Sequence, residues 1–201
     1  MEEGYVKYTA SHENSPVPRT PVWEQLNETR TKCFNLGLVG VYPNGIGYGN
    51  LSVRFSGDQF IISGTATGAK QVLSDSDYCL VKSFDIARNN VESRGLVQAS
   101  SESMTHGAVY RARQGVNCVI HIHSRKIFDN MLCGGYPFTQ KEAAYGTPDI
   151  ALAIENCVND SAKDEGQIVL AGHDEGIIAY GENVERAFFL IMELYNKYIG
   201  G

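Results

Sequence analysis

A buried strand is predicted at Val119-Ile120-His121-Ile122-His123-Ser124, an apolar run that ends in two histidines one residue apart. Side chains two residues apart in a strand project from the same face, so His121 and His123 point the same way. Two neutral imidazoles on one side of a rigid strand supply half of a metal site. We therefore expect both the fold and the chemistry to be organised around this strand.

Composition predicts a single globular domain with a small-molecule partner. The chain has 201 residues, of which 43% are hydrophobic and 20% charged, enough to bury one full core. Its formal charge of -6 and its lack of a basic cluster argue against nucleic acid and against an anionic membrane surface. No apolar run approaches the roughly 20 residues that span a bilayer, and no signal sequence opens the chain, so a cytoplasmic location is expected. The five cysteines never form a C-x-x-C pair, which is typical of reduced thiols.

Two glycine-rich loops precede the histidine strand. The first, at residues 44–50, leads into a strand at 51–55 that a turn returns as residues 60–63. The second is Gly64-Thr65-Ala66-Thr67-Gly68. Such loops expose backbone N–H groups that can bind phosphate, although two ordinary tight turns would have the same composition. The dinucleotide fingerprint is not matched, because the first loop leads from a helix into a strand.

Ser100-Ser101-Glu102 opens a helix that is expected to extend to about Arg113. Helix capping alone explains a Ser at the N-cap and a Glu in the first turn. The alternative is functional: the exposed N–H groups and the two hydroxyls bind an anion, while Glu102 points into a site. His106 lies one turn further on the same face, and we leave it out of the metal set.

The other elements follow from the same patterns. Residues 1–19 form an irregular N-terminal arm, and one domain is expected over residues 20–201. Thr20-Pro21 begins an amphipathic helix. Residues 78–84 are a strand, and residues 85–95 are a polar excursion. Further helices are expected after Ser124, Thr147 and Asn183, and strands at residues 167–170 and 177–180.

A third histidine, His173, follows a predicted buried strand. Three imidazoles and a nearby carboxylate match a divalent transition metal, most simply Zn2+ with one position open for water or substrate. The spacing of His121 and His123 with one distant histidine leaves a purely structural role open.

The motifs together resemble one known family, the class II aldolase/adducin family, in that family's order. The resemblance runs from about residue 33 to about residue 195 and is carried by Gly49-Asn50-Leu51-Ser52-Val53-Arg54, Thr67-Gly68, Ser100-Ser101-Glu102 with His106, His121-Ile122-His123, Tyr145-Gly146-Thr147 and His173. Each motif alone is weak, whereas the joint pattern is specific.

This resemblance implies a fold, an assembly and a role for each site residue. The fold would be a single-domain, three-layer α/β/α structure around a mainly antiparallel sheet, assembled as a homotetramer with active sites at subunit interfaces. One Zn2+ per chain, or another divalent transition metal, would be held by His121, His123 and His173, and Glu102 would be the acid/base. The substrate phosphate would be bound by Asn50, Thr67, Gly68, Ser100 and Ser101.

The resemblance also implies the reaction. The family's aldolases cleave a phosphorylated ketose through a Zn-stabilised enediolate to dihydroxyacetone phosphate and an aldehyde. Glu102 favours an aldolase over the sugar-phosphate epimerases, which tend to carry Asp there, but dehydratases also have Glu. An epimerase or a dehydratase on the same metal site is therefore the first alternative. A non-catalytic, adducin-like interaction module is the second.

Three features depart from the family pattern. The family commonly has His-Gly at the third ligand, whereas this chain inserts Asp174-Glu175 before Gly176. The segment between His123 and Tyr145 is shorter, and the family's C-terminal tail is not expected, since the chain stops at Gly201. Both regions carry tyrosine proton donors in the family. Tyr136 and Tyr145 are the candidates for that donor here.

Overall fold

The computed structural model describes residues 6–200. The strands are β1 (Thr9–Asn14), β2 (Gly40–Val41), β3 (Gly47–Tyr48), β4 (Asn50–Ser56), β5 (Gln59–Ser63), β6 (Tyr78–Asp85), β7 (Asn90–Gly95), β8 (Cys118–His123), β9 (Gly166–Val169) and β10 (Gly176–Gly181). The α-helices are α1 (Trp23–Asn35), α2 (Ser103–Ala112), α3 (Arg125–Cys133), α4 (Pro148–Asp160) and α5 (Val184–Tyr198).

One sheet organises the described part of the chain. Its order is β1-β7-β6-β5-β4-β8-β10-β9, and every neighbouring pair is antiparallel except β1 with β7. Helices α1, α3 and α5 pack on one face through residues such as Leu26, Ile127 and Ile191. Helices α2 and α4 pack on the other face through Val109 and Ile154. The predicted three-layer α/β/α fold with a mainly antiparallel sheet is confirmed.

The irregular arm predicted for residues 1–19 is wrong for Thr9–Asn14, which form β1. This strand pairs in parallel with β7 at the edge of the sheet, and its side chains are mostly exposed. An edge strand with little buried surface needs no apolar alternation, so its sequence carries no strand pattern. Residues 1–5 lie outside the described part of the chain, and the boundary at residue 20 stays a prediction.

The polar excursion predicted for residues 85–95 is also wrong, because Asn90–Gly95 is β7. Its buried positions are Val91, Ser93 and Gly95, which alternate with more exposed polar residues. The side chains alternate between buried and more exposed positions, as in a strand. Two of the three buried positions hold a serine and a glycine, however, so the sequence shows no hydrophobic alternation.

Helix starts were predicted with mixed success. Ser124 and Asn183 cap α3 and α5, because their side-chain oxygens accept hydrogen bonds from the Ile127 and Arg186 N–H groups. Helix α1 begins at Trp23 rather than at Thr20-Pro21, and Val22 occupies its N-cap. None of the helices in residues 6–200 has the length and apolar composition to cross a membrane.

Strand β8 lies near the middle of the sheet, between β4 and β10. In this register Asn50 stands opposite His121, and Gly176 stands opposite His123. The end of β8, the beginning of β4 and the turn before β10 therefore meet at one edge of the central strands.

Candidate active site

Three histidines converge at the end of β8. His123 Nε2 lies 3.0 Å from His121 Nε2 and 3.1 Å from His173 Nε2. All three side chains are buried. Among residues 6–200, they form the one group of three or more possible ligand residues whose donor atoms lie close enough for a shared metal ion, within 4.8 Å of one another. The structure thus brings together the three histidines that the sequence predicted as metal ligands, in an arrangement that could hold a metal ion.

Hydrogen bonds at Nδ1 fix the tautomers of two of these rings. His121 Nδ1 lies 3.1 Å from the Ile177 carbonyl oxygen, which can only accept, so this nitrogen carries the proton. His123 Nδ1 lies 2.9 Å from Tyr42 Oη, whose proton is donated to the Glu175 carboxylate at 2.8 Å. Both Nε2 atoms therefore bear lone pairs. Two lone pairs facing each other at 3.0 Å repel unless a cation lies between them, so the residues present fit a divalent metal.

Burial keeps the imidazoles of His121 and His123 neutral. The pKa of His121 lies well below its ordinary value, first because of desolvation and then because of the neighbouring His123 and His173. Desolvation, followed by the nearby His173, lowers the pKa of His123 in the same way. A neutral imidazole is the form that binds a metal ion.

The turn before β10 supplies the third ligand and leaves room for it. The His173 carbonyl accepts a hydrogen bond from the Gly176 N–H at 2.9 Å, closing the turn that contains the inserted Asp174 and Glu175. A Cβ at Gly176 would lie 2.9 Å from His173 Cδ2 and 3.1 Å from His121 Cε1. Position 176 therefore has to be glycine for the imidazoles to approach one another.

Glu102 reaches this cluster from the other side of the cleft. Helix α2 begins at Ser103, and Glu102 occupies the N-cap position that the sequence assigned to a serine. Its side chain is buried, and Oε1 lies 3.9 Å from His173 Nε2. A carboxylate at this distance is outside the group of possible metal ligands but close enough to exchange a proton with a molecule bound among the histidines.

The two glycine loops and the start of α2 line the same cleft as the histidines. The loops touch, because a Cβ at Gly68 would lie 2.3 Å from the Gly40 carbonyl oxygen and 3.1 Å from the Gly47 Cα. The Asn50 amide donates to Ser100 Oγ at 3.0 Å, which ties the first loop to the helix start. The five residues predicted to bind phosphate are therefore neighbours, although the Thr67 hydroxyl donates within its own loop to the Gly64 carbonyl at 2.8 Å.

Arg30 supports the second loop from behind and was not predicted from the sequence. Its buried guanidinium donates to the carbonyl oxygens of Thr67 at 3.2 Å and Gly68 at 3.3 Å. In a trans peptide the N–H points opposite to the carbonyl, so the N–H groups that follow these carbonyls face away from Arg30. Nothing in the spacing of α1 distinguishes Arg30 from an ordinary surface arginine, and only the fold reveals this contact.

The two candidate tyrosines lie in different places. Tyr145 lines the cleft, and its ring stacks on the His173 ring at a centroid distance of 4.5 Å. The Tyr136 hydroxyl is 3.4 Å from Lys197 Nζ, and this tyrosine does not line the cleft. The structure therefore supports Tyr145 over Tyr136 as a group that could contact a ligand.

Comparison with known proteins identifies one family. The model described as "Class II Aldolase and Adducin N-terminal domain" matches residues 43–197. Human gamma-adducin (Homo sapiens) is 30% identical over 105 residues, which are 44% of this chain and 14% of the adducin. The chain thus spans a small part of the adducins it matches.

Two enzymes show similar levels of identity. Methylthioribulose-1-phosphate dehydratase of Leptospira interrogans is 27% identical over 108 residues, 52% of this chain and 42% of the dehydratase. L-fuculose phosphate aldolase of Methanococcus maripaludis is 24% identical over 155 residues, 70% of this chain and 76% of the aldolase.

A solved structure shows the same fold. L-fuculose-1-phosphate aldolase from Thermus thermophilus superposes with a TM-score of 0.63 at 21% identity, covering 88% of this chain and 90% of that chain. At this identity the superposition establishes the architecture.

Proposed function

Because the chain belongs to the class II aldolase and adducin family, we propose that it is a metal-dependent aldolase that cleaves a phosphorylated ketose to dihydroxyacetone phosphate and an aldehyde. One observation carries the proposal: three ligand histidines, a buried glutamate and the two glycine loops line a single cleft. A structural role for the histidines would need neither the glutamate nor the loops at that place.

The metal would be Zn2+, one per chain, held by His121, His123 and His173. When bound, it would act as a Lewis acid on the substrate carbonyl and stabilise the negative charge that develops as the carbon–carbon bond breaks. Three imidazoles would supply the kind of nitrogen ligands that zinc takes in catalytic sites. A cobalt or manganese ion would also accept this donor set.

The phosphate would be bound by Asn50, Thr67, Gly68, Ser100 and Ser101. No lysine or arginine side chain of the described residues lines the cleft. Binding would therefore rely on backbone N–H groups, hydroxyls and the N-terminal end of α2. This binding lies away from the bond that breaks, so it would position the ketose against the metal and Glu102.

Glu102 would move the proton at the carbon from which the aldehyde departs. Its position 3.9 Å from His173 Nε2 places the carboxylate beside any ligand bound to the histidines. Tyr145 would take part in the proton transfer at the aldehyde oxygen, because it lines the cleft and Tyr136 does not. In cleavage it would accept the proton that leaves the substrate hydroxyl as that oxygen becomes the aldehyde, and in the reverse reaction it would donate the proton back.

A dehydratase is the second candidate. It is favoured by the similarity to methylthioribulose-1-phosphate dehydratase, whose name contains a phosphorylated ketose. The same metal and the same glutamate would serve both reactions, and an epimerase would differ only in the fate of the substrate. The non-catalytic adducin-like role is less favoured, since binding a partner protein requires neither the ligand cluster nor Glu102.

The decisive experiment is metal analysis followed by product identification. We expect about one zinc per chain by mass spectrometry, and release of dihydroxyacetone phosphate from a ketose 1-phosphate, detected by coupled reduction of that product. The unphosphorylated ketose is the control. Chelation should abolish turnover and added Zn2+ should restore it. Full turnover by metal-free protein would refute the proposal, and loss of water without cleavage would establish the dehydratase.

We extend the proposal to the assembly: a homotetramer with active sites at subunit interfaces, as the family resemblance implies. Light scattering on a sizing column should give the mass of four chains. A fully active monomer would contradict this extension and leave the chemistry intact.

A further inference from the structure

A chain of hydrogen bonds leads away from His123, behind the metal site. His123 Nδ1 donates to Tyr42 Oη at 2.9 Å, and Tyr42 Oη donates to Glu175 Oε2 at 2.8 Å. The other oxygen, Glu175 Oε1, pairs with Arg125 Nε at 3.3 Å. Tyr42 lies 81 positions from His123 in sequence, and Glu175 belongs to the two-residue insertion after His173.

We propose that Tyr42 and Glu175 are positioning residues that hold His123 in its metal-binding tautomer and thereby strengthen metal binding. This inference rests on the metal site of the proposed function. It gives the Asp174-Glu175 insertion, which departs from the family pattern, a role that is particular to this chain.

The direction of the hydrogen bonds carries the argument. An ionised carboxylate can only accept, so it obliges Tyr42 to donate its single proton toward Glu175. The Tyr42 oxygen can then only accept from His123, which keeps the proton on Nδ1 and the lone pair on Nε2. Without the carboxylate, the tyrosine could donate to Nδ1 instead, and the proton would move to Nε2, where the metal binds. A partner that orients a ligand histidine also raises its basicity.

Both positioning residues are themselves held in place. The Tyr42 backbone closes a turn, accepting from the Gly45 N–H at 2.8 Å and donating to the Ile46 carbonyl at 2.8 Å. Its ring packs on Tyr48 at a centroid distance of 4.5 Å. A phenol fixed on two sides loses little conformational freedom when it bonds to His123.

Glu175 occupies a backbone conformation that a non-glycine residue rarely adopts, with φ at 64°. Its carbonyl accepts from the Ser124 N–H at 3.1 Å, which joins the turn to the residue after His123. A strained residue persists when the surrounding contacts require it, and in this conformation Glu175 Oε2 accepts from Tyr42 Oη at 2.8 Å. The same turn carries His173, so one short segment orients two of the three ligands.

The test compares two neighbouring acid-to-amide changes in one turn. Asp174 pairs with Arg125, as Glu175 does, whereas the bond from Tyr42 Oη goes to Glu175 Oε2, so Asp174→Asn is the matched control for Glu175→Gln. Tyr42→Phe removes the hydroxyl at the centre of the chain. Metal-free proteins are titrated with Zn2+ against a chromophoric chelator, and with Co2+ while its visible absorption reports ligand geometry. Unfolding of the metal-free proteins checks that each variant folds.

We expect Tyr42→Phe and Glu175→Gln each to weaken metal binding roughly 10- to 100-fold and to alter the Co2+ spectrum. Asp174→Asn should stay within about twofold of the wild type. The double variant Tyr42→Phe/Glu175→Gln should bind the metal no more weakly than Tyr42→Phe alone, because Glu175 acts through Tyr42.

Equal affinities in Glu175→Gln, Asp174→Asn and the wild type would overturn the positioning role and leave the proposed function standing. A wild-type protein that binds neither ion would overturn both. If Tyr42→Phe fails to fold, Glu175→Gln still tests the positioning role, since the Glu175 side chain is partly exposed.

Discussion

Two groups of buried side chains, one of three histidines and one with His106 alone, lie close together in this protein, and their histidine nitrogen atoms face different partners. In the first, the Nε2 atoms of His121, His123 and His173 face one another. In the second, His106 Nδ1 lies 2.7 Å from Ser52 Oγ, which lies 2.7 Å from Tyr110 Oη. Burial lowers the pKa of His121 and His123 in the first group, and it lowers the pKa of His106 in the second to about 3. A depressed pKa therefore does not identify the reactive group, whereas convergence of lone pairs does.

The position of each group in the fold explains the difference. Ser52 and Tyr110 provide hydroxyls that can donate or accept, so His106 Nδ1 has its partner inside the layer between the sheet and α2, whereas His106 Nε2 is buried without a hydrogen-bond partner among the described residues. The histidines of the first group stand where strands end beside an open cleft, so a ligand can reach them. Four changes test this distinction, from the largest expected effect to the smallest.

His121→Ala removes a ligand from the first group. We expect bound metal to fall from about one per chain to nearly none and turnover to fall about 10⁴-fold, since the metal contributes several kcal/mol to the transition state. Metal analysis and initial rates measure both. His106→Ala in the second group should keep its metal. Comparable metal loss in the two variants would contradict the distinction between a metal-binding group and a structural one.

Glu102→Gln separates metal binding from proton transfer within the first group. We expect the metal content to stay at the wild-type level while kcat falls roughly 10²- to 10³-fold, because an amide cannot exchange the proton. The neighbouring Ser103→Ala, which loses a hydrogen bond to the Ser100 carbonyl but no acid or base, is the control. Unchanged kcat in Glu102→Gln would remove Glu102 from the mechanism.

His106→Asn tests the second group through pH. The folded protein holds His106 neutral with a pKa of about 3, whereas the unfolded chain binds a proton below pH 6.5. Stability is therefore lost as the pH falls from 6.5 toward 3, at about 1.4 kcal/mol per pH unit for this one group, and is unaffected by it at higher pH.

His106→Asn should lower the dependence of the free energy of unfolding on pH by the contribution of one proton. Urea unfolding of metal-free protein between pH 7 and 5 measures it, and the contributions of His121 and His123 cancel between the two proteins. Identical slopes would mean that His106 is protonated or exposed in the folded state.

Tyr110→Phe gives the smallest effect. The variant loses the hydroxyl that bonds to Ser52, while His106 keeps its bond to Ser52. We expect a loss of about 1 kcal/mol in the free energy of unfolding and no change in bound metal. Denaturant titration and metal analysis check both, and a fall in metal content would show that the two groups are coupled.

The residues of the candidate site could be predicted from the sequence where local spacing determines the direction of the side chains. The alternation of β8 was enough to place His121 and His123 on one face, and a predicted strand end and a predicted helix start marked His173 and Glu102. The resemblance then joined these distant segments into one site. Strand β7 was not predicted, because Ser93 and Gly95 are buried without being apolar side chains. Helix α2 starts at Ser103, two residues later than predicted, although Ser100 still makes contacts typical of a cap: its side-chain oxygen accepts from the Glu102 N–H at 3.3 Å and its carbonyl from the Ser103 N–H at 3.0 Å.

The supporting contacts could not be predicted, since they depend on tertiary packing alone. Tyr42 meets His123 across a sequence separation of 81, and no local pattern marks either partner. Glu175 was visible only as an insertion, with no sign of the direction of its carboxylate. Arg30 occupies a helix whose spacing predicts packing and nothing more.

Strand β1 has a consequence for the behaviour of the protein at high concentration. A sheet edge presents unpaired N–H and C=O groups on which a strand of another molecule can add. Here β1 covers β7 with Thr-Ala-Ser-His-Glu-Asn, a short, polar and largely exposed sequence that includes the charged Glu13. Such a strand disfavours edge-to-edge aggregation. This polar segment therefore contributes to solubility, because strands of other molecules pair less readily with it.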